Sequence, residues 1–147
     1  MKYKISLKCN SEQLFALFEE VLLNDFRLNT KKELVVSDLK IGTTYRKNIS
    51  NNNTPKVATV TIKRYNRPKN YTVEYKRDDK YRLVSYDLEE VSPNRTEVVF
   101  RDNTYNRDEY QGNTTKILKE DTENFKSVPF MTRVRFMALQ RQLNKRK

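Results

Sequence analysis

From residue 33 to residue 106 the hydrophobic period of this chain is two, and no gap between the alternating runs is long enough for a crossover helix. Residues 43–49 carry Tyr45 on one face and Arg46 on the other. Residues 57–65 place Ala58, Val60 and Ile62 together. Tyr71, Val73 and Tyr75 alternate with Thr72, Glu74 and Lys76. Val84, Tyr86 and Leu88 share a face within residues 82–88, as do Val98 and Phe100 within residues 97–104. The runs are divided by turn-forming residues: Asn51, Asn52, Asn53 and Pro55, then Asn66, Arg67, Pro68 and Lys69, then Asp78 and Asp79, then Ser92, Pro93 and Asn94. Strands joined this closely pair antiparallel, because parallel neighbours need a connection of about a dozen residues or more. The pattern predicts an antiparallel meander, preceded by a short strand at residues 34–37 and a turn at residues 38–42.

The two ends of the chain have other periods. Tyr3, Ile5, Leu7 and Cys9 alternate with Lys2, Lys4, Ser6 and Lys8, a half-buried strand with its lysines outside. Asn10 or Ser11 then offers a helix cap. Leu14, Phe15, Leu17, Phe18, Val21 and Leu22 follow at helical spacing, with Glu19 and Glu20 assigned to the outer side. This helix is expected to run to about Asn24, with a second short turn over residues 25–32. Residues 106–124 are polar, with a helical turn expected at residues 116–123. Residues 129–147 read as a long terminal helix, opened by Pro129 and closed by Lys145, Arg146 and Lys147. At roughly 100° per residue it has two apolar stripes. Phe130, Val134, Met137 and Ala138 form one, with Met131 at its edge; Phe136, Leu139 and Leu143 form the other. One stripe belongs on the sheet. The other is left to the first helix, a second subunit or a ligand.

Composition removes several kinds of chemistry. The chain has one cysteine and no histidine, so an intrachain disulfide, the usual His/Cys metal sites and Ser-His-Asp or Cys-His catalysis are excluded. Neither of its two glycines lies in a phosphate-binding loop pattern. The carboxylate pairs Asp78/Asp79, Glu89/Glu90 and Glu120/Asp121 are adjacent in sequence and sit in or near turns. No catalytic residue, metal ligand or cofactor is assigned, and the chain is not expected to be an enzyme. Cys9 reads as a small buried hydrophobe. Nine tyrosines and seven phenylalanines argue against disorder, and 147 residues suffice for a single domain, 1–147. The net charge of +11 raises affinity for nucleic acid and anionic membranes, but the cations are spread along the chain. Residues 63–77 interleave basic and aromatic residues, as single-stranded nucleic-acid binders do. Tyr71, Val73 and Tyr75 share one face there, which favours an ordinary hairpin. With no signal-peptide core and no apolar stretch of about 20 residues, a cytoplasmic location is expected.

Three stretches taken in order carry a resemblance: ISLKCNSEQLFALF at the start, DLKIGTTY at the entry to the sheet, and the aromatic-basic helix at the end. The chain resembles the START-like, birch-pollen-allergen-type helix-grip superfamily, and within it an uncharacterised branch from Gram-positive bacteria. The resemblance implies an α+β fold, a curved antiparallel sheet wrapped around a long C-terminal helix, with an apolar cavity between them. It also implies a hydrophobic or lipid-like small molecule as partner. The periodicity places Tyr45, Ile62, Tyr75, Tyr86 and Phe100 from the strands, and Phe130, Val134, Met137 and Ala138 from the helix, along such a cavity. The expected function is non-catalytic binding of a hydrophobic or amphipathic molecule there, the basic residues favouring an anionic head group. The alternatives are a homodimer or partner interface through Phe136, Leu139 and Leu143, and nucleic-acid binding.

Overall fold

The computed structural model describes residues 1–49 and 54–146. The alternating runs become β2 (Thr44–Asn48), β3 (Val57–Asn66), β4 (Asn70–Arg77), β5 (Lys80–Ser92) and β6 (Arg95–Asn106), each antiparallel to the next. The opening strand β1 (Lys2–Leu7) pairs with the last, giving the order β1-β6-β5-β4-β3-β2. The expected polar loop at Asn51, Asn52 and Asn53 lies outside the described residues, as does Lys147.

Register decides which side chains meet. Across the sheet, Tyr45 faces Val60, Val60 faces Tyr75, and Tyr75 faces Arg82. One layer along, Tyr71 faces Tyr86, Tyr86 faces Phe100, and Phe100 faces Tyr3. These rows form the concave face. The pairing of β3 with β4 shifts by one residue between Ile62 and Arg64, so Tyr65, out of step with Ile62, also joins this face opposite Tyr71.

Helix α1 (Ser11–Thr30) lies against the concave face. Asn10 caps it: its side chain accepts from the Gln13 N–H while the Gln13 side chain accepts from the Asn10 N–H. The helix does not stop near Asn24. Phe26 packs edge-on against Tyr45, and Asp25 accepts a hydrogen bond from the Tyr45 hydroxyl, so tertiary contacts carry it one and a half turns further (about four residues per turn). It ends at Lys31, in the left-handed conformation with φ 62°. Residues 34–37 are no strand. A 3-10 turn, Val36–Asp38, forms there, and the Asp38 carboxylate accepts from the Val35 N–H at 2.9 Å. Glu19 is also reassigned: it is 3% exposed, bonded to the Tyr65 hydroxyl and to Arg67 Nε at 2.9 Å.

After β6 the chain crosses the convex face through α2 (Arg107–Tyr110) and α3 (Thr114–Lys119). Asn106 and Asn113 cap these short helices, so the helical turn falls earlier than residues 116–123. Tyr110 anchors the crossing: its hydroxyl donates to Glu74 at 2.6 Å, and its ring lies against Tyr81 and Tyr105. Lys126 N–H then bonds the Lys2 carbonyl at 2.8 Å, bringing the chain to the β1 edge and into α4 (Phe130–Lys145).

The face that α4 presents is the reverse of the one expected. Phe136 and Leu143 are buried, and Leu139 packs partly against the core. Phe130, Val134, Met137 and Ala138 are exposed. The cause is local: Phe136 meets the Phe100 ring edge-on, and the Gln140 side chain bonds both backbone groups of Lys8, which fixes the helix rotation. The stripe offered as a partner interface therefore belongs to the core.

Candidate functional site

A depression of about 240 Å³ opens on the concave face, between α1, the sheet and one side of α4. Its floor is aromatic: Tyr45 from β2, Tyr71 and Tyr75 from β4, and Tyr86 from β5. Their alternation with polar residues turns all four to the same side of the sheet. Tyr71 and Tyr86 stack with centroids 4.8 Å apart. The α1 wall supplies Phe18, Val21, Leu22 and Leu28. The rim is charged. Lys47 pairs with Asp25 at 2.9 Å, and Arg135 of α4 stands opposite without a hydrogen bond or ion pair to any described residue.

Burial keeps these hydroxyls protonated. It pushes Tyr86 up to about 12, helped by the neighbouring Tyr75 and opposed by the Arg135 charge. Tyr45 is raised by burial and by its hydrogen bond to the Asp25 carboxylate. Tyr71 is raised well above the ordinary tyrosine value by burial and by Tyr86 beside it. Tyr75 is raised chiefly by burial, with Lys47 pulling the other way. At neutral pH the floor is thus a set of neutral phenols that donate or accept hydrogen bonds.

Of the nine residues expected to line a cavity, the structure brings together Tyr45, Tyr75 and Tyr86. Phe100 lies beside Tyr86, with ring centroids 5.2 Å apart, and supports the floor without lining it. Ile62 is buried on the same face and also does not line the depression. Phe130, Val134, Met137 and Ala138 point away, as the rotation of α4 requires. Tyr71, Asp25, Lys47 and Arg135 are additional. Tyr71 shares the alternation of Tyr75, so the pattern contained it. Arg135 becomes visible only once the rotation of α4 is known.

In two other regions the central charges are paired. A cleft of about 250 Å³ lies on the convex face beneath α3, beside Arg101, Asp121 and Ser85. Arg101 there bonds Asp87 at 2.6 Å and Asp121 at 2.9 Å, and Lys2 also pairs with Asp121. Burial pushes the Asp121 carboxyl up, but hydrogen bonds from the Glu123 N–H, Arg101 and Lys2 outweigh it and hold the group below its usual value. In the stretch 63–77, Arg64 pairs with Asp87, Arg67 with Glu12 and Glu19, and Lys63 with Glu74, while Tyr71 is buried. Among the described residues no group of three or more His, Cys, Asp or Glu is placed to hold a metal, and no helix is long and apolar enough to cross a membrane.

A six-stranded antiparallel sheet whose concave face holds α1 and is flanked by a C-terminal helix is the START-like, birch-pollen-allergen-type helix-grip fold. Norcoclaurine synthase from Thalictrum flavum, solved in complex with dopamine and hydroxybenzaldehyde, matches at a TM-score of 0.58 and 8% identity, over 100% of this chain and 87% of that one. A START superfamily protein from Mycobacterium smegmatis matches at a TM-score of 0.53 and 8% identity, over 100% and 98%. The chain belongs to the family described as a domain of unknown function, DUF3284, whose model matches residues 1–120. No curated protein sequence matches it.

Proposed function

We propose that this protein, acting in the cytoplasm as one domain over residues 1–147, binds a small hydrophobic or amphipathic molecule without transforming it. The site is the depression between sheet, α1 and α4, and the ligand's anionic end meets Arg135. The observation that carries this reading is a guanidinium with no ion pair among the described residues, at the rim of an aromatic floor whose hydroxyls are neutral. Apolar hollows with a few converging polar groups are the usual form of small-molecule sites. Size narrows the ligand. At about 240 Å³ the hollow falls below the about 300–1,000 Å³ of typical ligand sites, so one aromatic ring or a short acyl chain fits it. Norcoclaurine synthase, a protein of the same fold solved with two single-ring aromatics, makes that size reasonable.

The test is titration calorimetry with phenylacetate and octanoate. Saturable binding of either acid, weakened about tenfold by Arg135→Ala at an unchanged melting temperature, supports the reading. Tyr75→Ala reduces binding through lost ring contact. Absence of saturable binding of both acids, or equal affinity in Arg135→Ala, overturns it.

A further inference from the structure

The outward face of α4 combines features that the ligand site does not use. Phe130, Val134 and Met137 recur at i, i+4 and i+7, so they form one ridge along the helix, with Met131 beside them. Phe130 is 76% exposed, Met131 66% and Met137 58%. Arg141 and Lys145 continue the same line towards the end of the helix, and Arg133 flanks it. These three cations form no ion pair with a described residue. From Lys126 to its last residue the chain contains no Asp or Glu.

An apolar ridge whose charged neighbours along the helix are all cations complements a surface that is apolar just beneath a layer of negative charge. We propose that this face of α4 docks on an anionic lipid bilayer, with the helix axis in the plane of the membrane. Phe130, Met131, Val134 and Met137 enter the boundary between head groups and acyl chains, and Arg133, Arg141 and Lys145 meet the head-group phosphates. The two signals act together, since neither a short ridge nor a few cations alone holds a protein at a membrane. The helix is displayed ready-made, because Phe136 and Leu143 fasten its opposite side to the core. A second copy fits this face badly: the patch is met by an identical patch in a two-fold pairing, so the cations of one copy approach those of the other, Arg133 against Arg141 in an antiparallel pair centred near Met137. Nucleic acid neutralises the cations but leaves the ridge in water.

Co-sedimentation of the full chain with phosphatidylglycerol vesicles, beside phosphatidylcholine vesicles, tests this. The expected result is retention on the anionic vesicles only, released by salt. The double variant Phe130→Asp/Met137→Asp alters exposed positions and is expected to melt as the parent does, while its partition falls about tenfold or more. Arg141→Gln lowers partition about fivefold. Equal retention on both vesicles, retention on neither, or retention unchanged in both variants overturns the proposal. Unchanged retention would mean that the overall charge of +11 binds without the ridge. A dimer seen by light scattering and abolished by the double variant also overturns it, in favour of a self-interface.

Discussion

The two long helices lie against the same core and use it very differently. Helix α1 buries Leu14, Phe15, Leu17 and Phe18, and Phe15 sits between Tyr65 and Tyr71 with both rings edge-on. Helix α4 buries only Phe136 and Leu143 along its length. The route of the chain explains the contrast. α1 leaves β1 after a tight cap and crosses the middle of the concave face, whereas α4 arrives around the β1 edge and touches the sheet through Phe136 against Phe100. One helix is part of the core. The other is fastened by one side and displays the rest. Phe15→Ala is therefore expected to cost about 4 kcal/mol of stability, and Phe130→Ala no more than about 0.5, read from urea midpoints at constant slope. Similar losses for the two would break the contrast.

Phe136→Ala probes the fastening itself. The cost should be about 3 kcal/mol if α4 and the core unfold together, since a buried ring is removed. If α4 is a separately opening element, its amides lose hydrogen-exchange protection in this variant while those of α1 and the central strands keep theirs. The looser attachment favours the second pattern. Uniform loss of protection would make α4 as integral as α1.

Alkali should destabilise the α1 side, where Phe15 and Phe18 pack on tyrosines. Tyr86 has a folded value of about 12 against an ordinary value of 10.0. Above pH 10 the unfolded chain gives up this proton and the folded chain does not, so stability falls as pH rises. The contribution is complete below the unfolded value and gone above the folded one, a window of about pH 10 to 12. At about 1.4 kcal/mol per unit, Tyr86 alone contributes on the order of 2–3 kcal/mol. Tyr65 and Tyr71, also raised mainly by burial, act in the same direction. Tyr86→Phe should shift the alkaline midpoint upward, and an unchanged midpoint would separate tyrosine ionisation from the unfolding.

The sheet was legible because period two leaves a side chain only two directions, and the short turns leave strands only one way to pair. Tyr45, Tyr75 and Tyr86 come to one depression for that reason. The rotation of α4 was not legible. Its two stripes are nearly equal in apolar character, and what selects between them is a contact with Phe100 and a bond from Gln140 to Lys8, both remote in sequence. Four of the nine expected cavity residues went to solvent with that one rotation, and Arg135 came to the rim with it. The length of α1 was only partly legible: Phe26 continues the face of Phe15, Phe18 and Leu22 past Asn24, but the bonds of Asp25 to Tyr45 and Lys47 that also hold the last turns are remote in sequence.

Glu19 and Glu20 reduce the same comparison to adjacent residues. Both looked like solvent-facing acids. Glu19 is buried and binds Tyr65 and Arg67, while Glu20 stays exposed and pairs with Arg146 beyond α4 at 2.6 Å. Glu19→Ala leaves the Tyr65 hydroxyl and Arg67 Nε without their acceptor beneath α1, and should cost about 2 kcal/mol, Arg67 being partly solvated. Glu20→Ala removes the ion pair between α1 and the end of α4, but both side chains are about half exposed, so the melting temperature should barely move. Thermal melts of the two variants measure the difference. A Glu20→Ala loss as large as that of Glu19→Ala would mean that the α1–α4 tie carries weight that its exposure does not suggest.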